Sequence, residues 1–179
     1  MDLSNETFYL DNLKPEDAPS LNQLMIRNAR HFQQYLPKTL SQNLSENASK
    51  SYIKNKSEAF KNKTEFTFAI KEKDTNNIAG LVILKNLDWN TKQGEFAYCL
   101  GSKYSGNGWM SKSVKATKDY AFNELGLEKL QVIIHHSNTD SINVAKRSGF
   151  TWIKTLKKEF VSGKAVLDME LYEIQKNDI

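Results

Sequence analysis

The stretch CLGSKYSGNGWMSKSVKATKDYAF, residues 99–122, joins a strand-like run to a helix through a glycine-rich turn. The helix carries its acids late, and its three lysines come first: Lys112, Lys115 and Lys118. This order opposes the helix dipole, because the partly positive N-terminus of a helix favours acids and its C-terminus favours bases. An anion bound at the glycine turn would reverse the local field, so the sequence raises the hypothesis of an anion site there.

The glycine turn, Gly106-Asn107-Gly108, shares its shape with two well-known phosphate-binding patterns and matches neither. A dinucleotide fingerprint needs a third glycine where Ser111 stands. A P-loop that began at Gly101 would need a lysine and a Ser or Thr directly after Gly106. A simple nest of backbone N–H groups remains. The alternative, a tight turn with the lysines extended into solvent, stays open at this point.

Composition limits the function classes. The chain has 179 residues, a net charge of +4 and a sequence pI of about 9.0, and its lysines are spread over its whole length. We therefore expect one domain spanning residues 1–179, with no direct nucleic-acid binding and no metal site. No apolar run approaches the roughly 20 residues that span a bilayer, and no signal peptide is recognisable. Cys99 is the only cysteine, which excludes an internal disulfide and favours the cytoplasm.

Periodicity predicts an α+β fold. Strand-like runs cover residues 6–13, 65–72, 78–87, 95–100 and 128–136, and a final hairpin is expected to turn around residues 161–164. Helices are predicted over residues 14–29, over 41–60 with Leu44, Ala48 and Tyr52 on one stripe, from the glycine turn to Gly126, and from a cap at Asn138 or Thr139 to Gly149. The short turns between residues 65 and 100 favour an antiparallel meander. The strand, helix and strand that follow favour a right-handed parallel crossover.

Two motifs in this order resemble the GNAT N-acetyltransferase superfamily, and specifically its RimJ/RimL-like branch, which includes ribosomal-protein-alanine N-acetyltransferases. The loop Q/R-x-x-G-x-G/A of that family corresponds to residues 103–108, and its N-x-x-S element, ending in G-F, corresponds to residues 138–141 and 149–150. The resemblance implies a mixed, mostly antiparallel sheet with a central parallel βαβ unit and helices on both faces. The chain departs from the pattern at Lys103, which replaces Gln or Arg, and at Lys112, where the branch often has an acid.

The resemblance also implies acetyl-CoA as the co-substrate and a set of residues that bind it. The pantetheine arm would follow the backbone of the motif strand, and the pyrophosphate would lie on the amides of the loop. The implied binding residues are Tyr98, Cys99, Leu100, Lys103, Gly106, Asn107, Gly108, Trp109, Met110 and Asn138. Ser141 matches the position whose side chain approaches the leaving sulfur.

Direct attack of an amine on the thioester needs a group that accepts a proton, and Glu95 is the first candidate. It lies in the motif strand on the face opposite Phe96, Tyr98 and Leu100, although it is alternatively an ordinary exposed strand residue. Ser141 would hydrogen-bond the departing thiolate, or else only complete a capping box with Asn138. His135 and His136 end a strand beside the expected cleft. Cys99 is interpreted as a small apolar strand residue rather than as a covalent acyl carrier.

Three functions follow from this reading. The first is an acetyl-CoA-dependent N-acetyltransferase that acts on a primary amine, such as a protein N-terminus, a polyamine or an antibiotic. The second is a non-catalytic acyl-CoA-binding module, and the third, ranked last, is a basic protein associated with RNA or the ribosome. The sequence does not identify the acceptor, and it leaves a homodimer open.

Overall fold

The computed structural model of the protein describes residue 3, residues 6–162 and residues 165–178. Within these residues the strands are β1 (Phe8–Asn12), β2 (Phe66–Glu72), β3 (Ile78–Asp88), β4 (Gln93–Leu100), β5 (Lys129–His135), β6 (Thr151–Ser162) and β7 (Ala165–Gln175). The helices are α1 (Ala18–Arg27), α2 (Ala29–Tyr35), α3 (Pro37–Ser41), α4 (Glu46–Lys61), α5 (Trp109–Asn123) and α6 (Thr139–Arg147). Short 3-10 turns occur at Pro15–Asp17, Ser102–Tyr104 and Lys176–Asp178.

The strands form one seven-stranded sheet in the order β1-β2-β3-β4-β5-β7-β6. Every neighbouring pair is antiparallel except β4 and β5, which are parallel and are joined by α5. Parallel neighbours need a crossover, and a helix of this length supplies it. The predicted α+β fold, with its meander over β2–β4 and its central βαβ unit, is confirmed.

The two parallel strands separate part of the way along their length. Their pairing runs from Gln93 opposite Lys129 to Phe96 opposite Val132, where it ends. Beyond that point β4 stays paired with β3 as far as Leu100, and β5 stays paired with β7 as far as His135. A wedge therefore opens within the sheet between the C-terminal ends of β4 and β5.

Helices cover both faces of the sheet, because alternate strand residues point to opposite sides. On the side that we call the α5 face, Phe96 and Val132 pack in one buried cluster with Val114 and Phe122 of α5. On the opposite side, the α1–α4 face, a second cluster joins strand residues to the four N-terminal helices. Its strand members include Leu81, Ile83 and Cys99, and its helical members include Leu21, Met25, Phe32 and Ile53.

The sequence predicts one apolar face on α5, and Met110, Val114, Thr117 and Ala121 of that face are buried. Its fifth predicted member, Leu125, lies beyond the end of the helix and is only partly buried. The helix ends at Asn123, three residues before Gly126, whose φ of 72° suits the left-handed backbone that follows a helix. No helix of the described chain is long and apolar enough to cross a membrane.

Two predictions for the N-terminal part needed correction. The helix expected over 14–29 opens as a 3-10 turn, and α1 begins only at Ala18. The stripe expected through Leu44 is wrong, because the Ser45 hydroxyl accepts a hydrogen bond from the amide of Ala48 and so starts α4 after Leu44. Leu44 is left outside the helix and 57% exposed. The side chains that α4 buries are Ser49, Tyr52 and Ile53. Part of the turn expected over 161–164, residues 163 and 164, lies outside the described residues.

Candidate functional site

A cleft of about 920 Å³ passes through the wedge between β4 and β5. The ends of both strands line it, together with the first turns of α5 and α6 and the wall formed by α2 and α3. Ten of the twelve predicted site residues line this cleft: Glu95, Tyr98, Cys99, Leu100, Gly106, Gly108, Trp109, Met110, Asn138 and Ser141. The two predicted site residues that do not line the cleft are Lys103 and Asn107. The side-chain amide of Asn107 instead donates to the backbone carbonyl of Tyr104 at 3.5 Å.

At one end of the cleft the N-terminus of α5 carries no side-chain cap. Gly108 is the N-cap residue, with φ of 74°, and Gly106 has φ of 84°. Such backbone angles favour glycine, and here they aim the start of the helix into the cleft without a side chain in front of it. The first amides of a helix have no intrahelical acceptor, so they can donate to an anion.

Lys112, one of the lysines near the N-terminus of α5, is paired with an acidic residue of the same chain. The Lys112 ammonium contacts a carboxylate oxygen of Glu6 at 2.5 Å. Glu6 therefore balances the charge of Lys112 within the chain, so the hypothesis of an anion site at the glycine turn depends on the free amides of α5 and not on this lysine. Lys103, with its side chain 73% exposed, lies 4.0 Å from Glu72 and 5.1 Å from the ring centre of Tyr104.

The loop before α5 is held by a stack of aromatic rings. The ring of Trp109 stacks on two others, with ring centres 4.9 Å apart for Phe8 of β1 and 5.1 Å apart for Tyr104. The interplanar angle is 25° in both pairs. Offset stacking at this distance stabilises both contacts. Side chains from β1 and from the loop itself thus support the uncapped first turn of α5.

On the other side of the wedge, hydrogen bonds fix the start of α6. The side chain of Asn138 accepts from the amide of Ser141 at 3.2 Å, so of the two predicted caps Asn138 is the one that forms. The amide of Asn138 donates to the carbonyl of His135 at 2.9 Å. In a capping box the Ser141 hydroxyl would accept a hydrogen bond from the amide of Asn138. That bond is absent, and in the described chain the Ser141 hydroxyl forms no hydrogen bond.

Tyr98 connects β4 to this helix across the wedge. Its hydroxyl donates to the backbone carbonyl of Ser141 at 2.7 Å. Burial raises the pKa of the Tyr98 phenol, which keeps it protonated and able to donate. The Ser141 backbone is consequently held through both its amide and its carbonyl.

Glu95 lies on the α1–α4 face, the side opposite Phe96, as its position in the strand predicted. Its side chain is 12% exposed. One carboxylate oxygen contacts the ammonium of Lys85 at 2.9 Å, and the other accepts from the side-chain amide of Asn86 at 2.9 Å. The carboxylate is therefore oriented and its charge compensated.

Cys99 lies in the buried cluster of the α1–α4 face. Its thiol is buried, and burial raises its pKa to about 12. The neighbouring strand approaches closely here, because a Cβ on Gly80 would lie 2.3 Å from the carbonyl oxygen of Cys99. A glycine at this position lets β3 pack against the β4 segment that lines the cleft.

The helical wall contributes a contact that sequence reasoning missed. The Tyr35 hydroxyl of α2 lies 3.1 Å from the Ser137 hydroxyl, which lies 2.7 Å from Nδ1 of His135. Burial lowers the pKa of His135, and the adjacent ring of His136 lowers it further. Tyr35 and Ser137 are 102 positions apart, so no local pattern could have shown this contact. The partners of Glu95 could have been found only from the register of β3 against β4.

Comparison with known proteins is consistent with this geometry. A family profile described as "Acetyltransferase (GNAT) domain" matches residues 7–151. The spermidine N(1)-acetyltransferase of Escherichia coli strain K12 is 32% identical over 82 residues, which are 46% of this chain and 44% of that protein. The chain thus aligns with less than half the length of that curated relative.

Two solved structures share the whole fold. The ribosomal-protein-S5-alanine acetyltransferase from Vibrio fischeri superposes with a TM-score of 0.89 at 25% identity, covering 97% of this chain and 95% of that one. A microcin C7 self-immunity acetyltransferase, solved in complex with acetyl-CoA and AMP, superposes with a TM-score of 0.87 at 22% identity, covering 96% and 93%.

Proposed function

We propose, from the premise that this chain belongs to the GNAT acetyltransferase family, that it transfers an acetyl group from acetyl-CoA to a primary amine. The observation that carries this proposal is the wedge between β4 and β5, which opens directly beside the uncapped N-terminus of α5. A long, flexible thioester with an anionic end fits such a site, because the wedge offers unpaired strand edges and the helix offers free amides.

The residues present suit acetyl-CoA. In the proposal, the pantetheine arm follows the backbone of Tyr98, Cys99 and Leu100, along the part of β4 that has no β5 partner. The pyrophosphate lies on the amides of residues 106–110, and Lys103 contributes positive charge from the surface. Asn138 lies at the end that holds the thioester. This proposal is supported by the fact that the backbone would make these contacts. They need glycine at positions 106 and 108 and depend little on the identity of the other side chains.

Glu95 is proposed as the group that accepts the first proton, directly or through a water molecule, from the incoming ammonium. The freed nitrogen lone pair attacks the thioester carbonyl carbon, while the backbone N–H of Leu100, which points away from β3, stabilises the oxygen that becomes negative. As the C–S bond breaks, the Ser141 hydroxyl donates to the departing thiolate. The second proton on nitrogen passes to that sulfur, and Glu95 returns its proton to water.

The acceptor is proposed to be a protein N-terminus or a small molecule with a primary amine, such as a polyamine or an antibiotic, and the protein is proposed to act in the cytoplasm. The superposition with a ribosomal-protein acetyltransferase supports the first choice, and the partial match to a spermidine acetyltransferase supports the second. A homodimer is compatible with this function and is not required by it.

The test combines calorimetry with CoA and thiol release from acetyl-CoA in the presence of an amine panel. Wild-type protein is expected to bind CoA and to release thiol with at least one amine. Glu95→Gln should bind CoA unchanged and lose about a hundredfold in kcat/KM, the effect typical of a general base. Absence of CoA binding at millimolar concentration would refute the proposal. CoA binding without turnover by wild-type protein would favour the non-catalytic module.

A further inference from the structure

At the end of the cleft that lies on the α1–α4 face, four charged residues form a row: Lys56, Glu65, Lys85 and Glu95. Lys85 of β3 is directly opposite Glu95 of β4. The pairing of Phe66 with Leu84 places Glu65, the residue before β2, beside Lys85 on its other flank. Lys56 of α4 completes the row above Glu65. All four residues line the cleft.

Each carboxylate in this row already has a lysine. Lys56 contacts Glu65 at 2.6 Å, with side chains that are 20% and 19% exposed, and Lys85 contacts Glu95 at 2.9 Å. Glu65 also accepts a hydrogen bond from Thr67 at 2.8 Å. Such partly buried pairs keep more of their attraction than exposed pairs do. The row therefore alternates in sign and is neutral in sum.

The rest of the cleft adds no acid on this face. Among the described residues that line it, the only other carboxylate is Asp140, which lies in the first turn of α6 on the opposite face. Lys38 of α3 adds a further lysine to the α1–α4 side. An amine that enters from this side consequently meets two acids, both compensated, and three lysines.

We infer that Lys56 and Lys85 make the acceptor site selective against polyamines and in favour of amines that carry a single positive charge. A second ammonium on the acceptor would find no unpaired carboxylate and would lie near lysine side chains, where like charges repel. This inference rests on the proposed acetyl transfer and specifies its substrate class. It also separates this chain from what its partial match to a spermidine acetyltransferase would suggest.

The test compares butylamine with putrescine, which have the same carbon chain and differ by one ammonium. For wild-type protein we expect kcat/KM for butylamine to exceed that for putrescine by at least about tenfold, a difference of about 1.4 kcal/mol. In the double variant Lys56→Met and Lys85→Met, the two acids become available, and this ratio should fall by about tenfold or invert. Added salt should weaken the wild-type preference.

Lys50→Met is the matched control, because Lys50 pairs with Glu46 on the outer surface of the same helix, α4. It should leave the ratio unchanged. Equal or preferential use of putrescine by the wild-type protein would overturn the inference. So would an unchanged ratio in a double variant that keeps its thermal stability and its CoA affinity.

Failure of the proposed function remains distinguishable from failure of this inference. If the wild-type protein released no thiol with any amine, calorimetric titration of the CoA-bound protein with the same two amines would still measure selectivity. Tighter binding of butylamine that is lost in the double variant supports the inference, and equal binding of both amines refutes it.

Discussion

The two sides of the cleft differ in whether main chain or side chains form them. The side proposed for acetyl-CoA is made largely of main chain: the free edge of β4, the glycine turn and the first amides of α5. The side proposed for the amine is made of side-chain pairs that join separate elements, such as Lys85 with Glu95 and Lys56 with Glu65. A backbone site tolerates many side chains and needs only the right φ angles. A site of paired side chains changes with each substitution and can therefore differ in specificity between proteins of one fold.

The largest effect expected on CoA affinity comes from the backbone side of the cleft. Gly108→Val forces a β-branched residue to φ of 74°, at a cost of roughly 1–2 kcal/mol that is relieved by moving the loop. We expect the Kd for CoA, measured by calorimetry, to rise about tenfold.

Gly126 provides a matched control at the other end of α5, with φ of 72° and the same open surroundings. Gly126→Val should lower thermal stability by a similar amount and leave CoA affinity intact. Equal losses of CoA affinity in both variants would mean that the glycine turn has no special role in binding.

A smaller effect is expected from changing Cys99, whose side chain takes no part in the proposed reaction. Cys99→Ala removes a buried sulfur, so we expect a loss of about 1 kcal/mol in the free energy of unfolding. The kcat/KM should stay within about threefold of wild type, well under 1.4 kcal/mol. Because the pKa of Cys99 is raised to about 12, the wild-type thiol should also resist alkylation at neutral pH. Loss of all activity with an intact fold would instead indicate an acetyl-cysteine route.

The smallest expected effect is a change in the pKa of His135, which lines the side of the cleft proposed for the amine. Burial and the positive charge of His136 both disfavour protonation of His135, so NMR titration should give a pKa for His135 below 6.5. Because His136→Asn removes a like charge and leaves the burial, the pKa of His135 should rise in that variant without reaching its usual value. A downward shift or no shift would exclude the proposed influence of His136.

Sequence reasoning recovered the backbone side better than the acceptor side. The glycine turn, the α5 helix and the Asn138 cap depend on residues within a few positions of one another, and such local patterns can be read directly. Lys112 shows the limit, because its partner Glu6 is 106 positions away. The misplaced stripe at Leu44 has a different cause: a Ser45 cap decides where α4 begins, and periodicity alone does not locate a cap.

The face of Glu95 could be predicted because strand residues alternate, but its partner could not. The opposition of Lys85 and Glu95 depends on the register of the β3–β4 hairpin, which has an irregularity between Lys85 and Asp88. A shift of one residue would have placed Lys85 on the other face. Tyr35 was missed for the related reason that its contact joins a helix to a distant loop.

The stack of Phe8 on Trp109 gives the amino end of the chain a practical importance. Phe8 and Glu6 brace the first turn of α5, about a hundred positions downstream, through the ring contact with Trp109 and the ion pair with Lys112. We expect that trimming this end, or fusing a bulky purification tag to it, would disturb the pocket proposed for CoA, although neither change comes near it in sequence. Measured affinities should therefore be compared between tagged and untagged protein before any is attributed to the cleft itself.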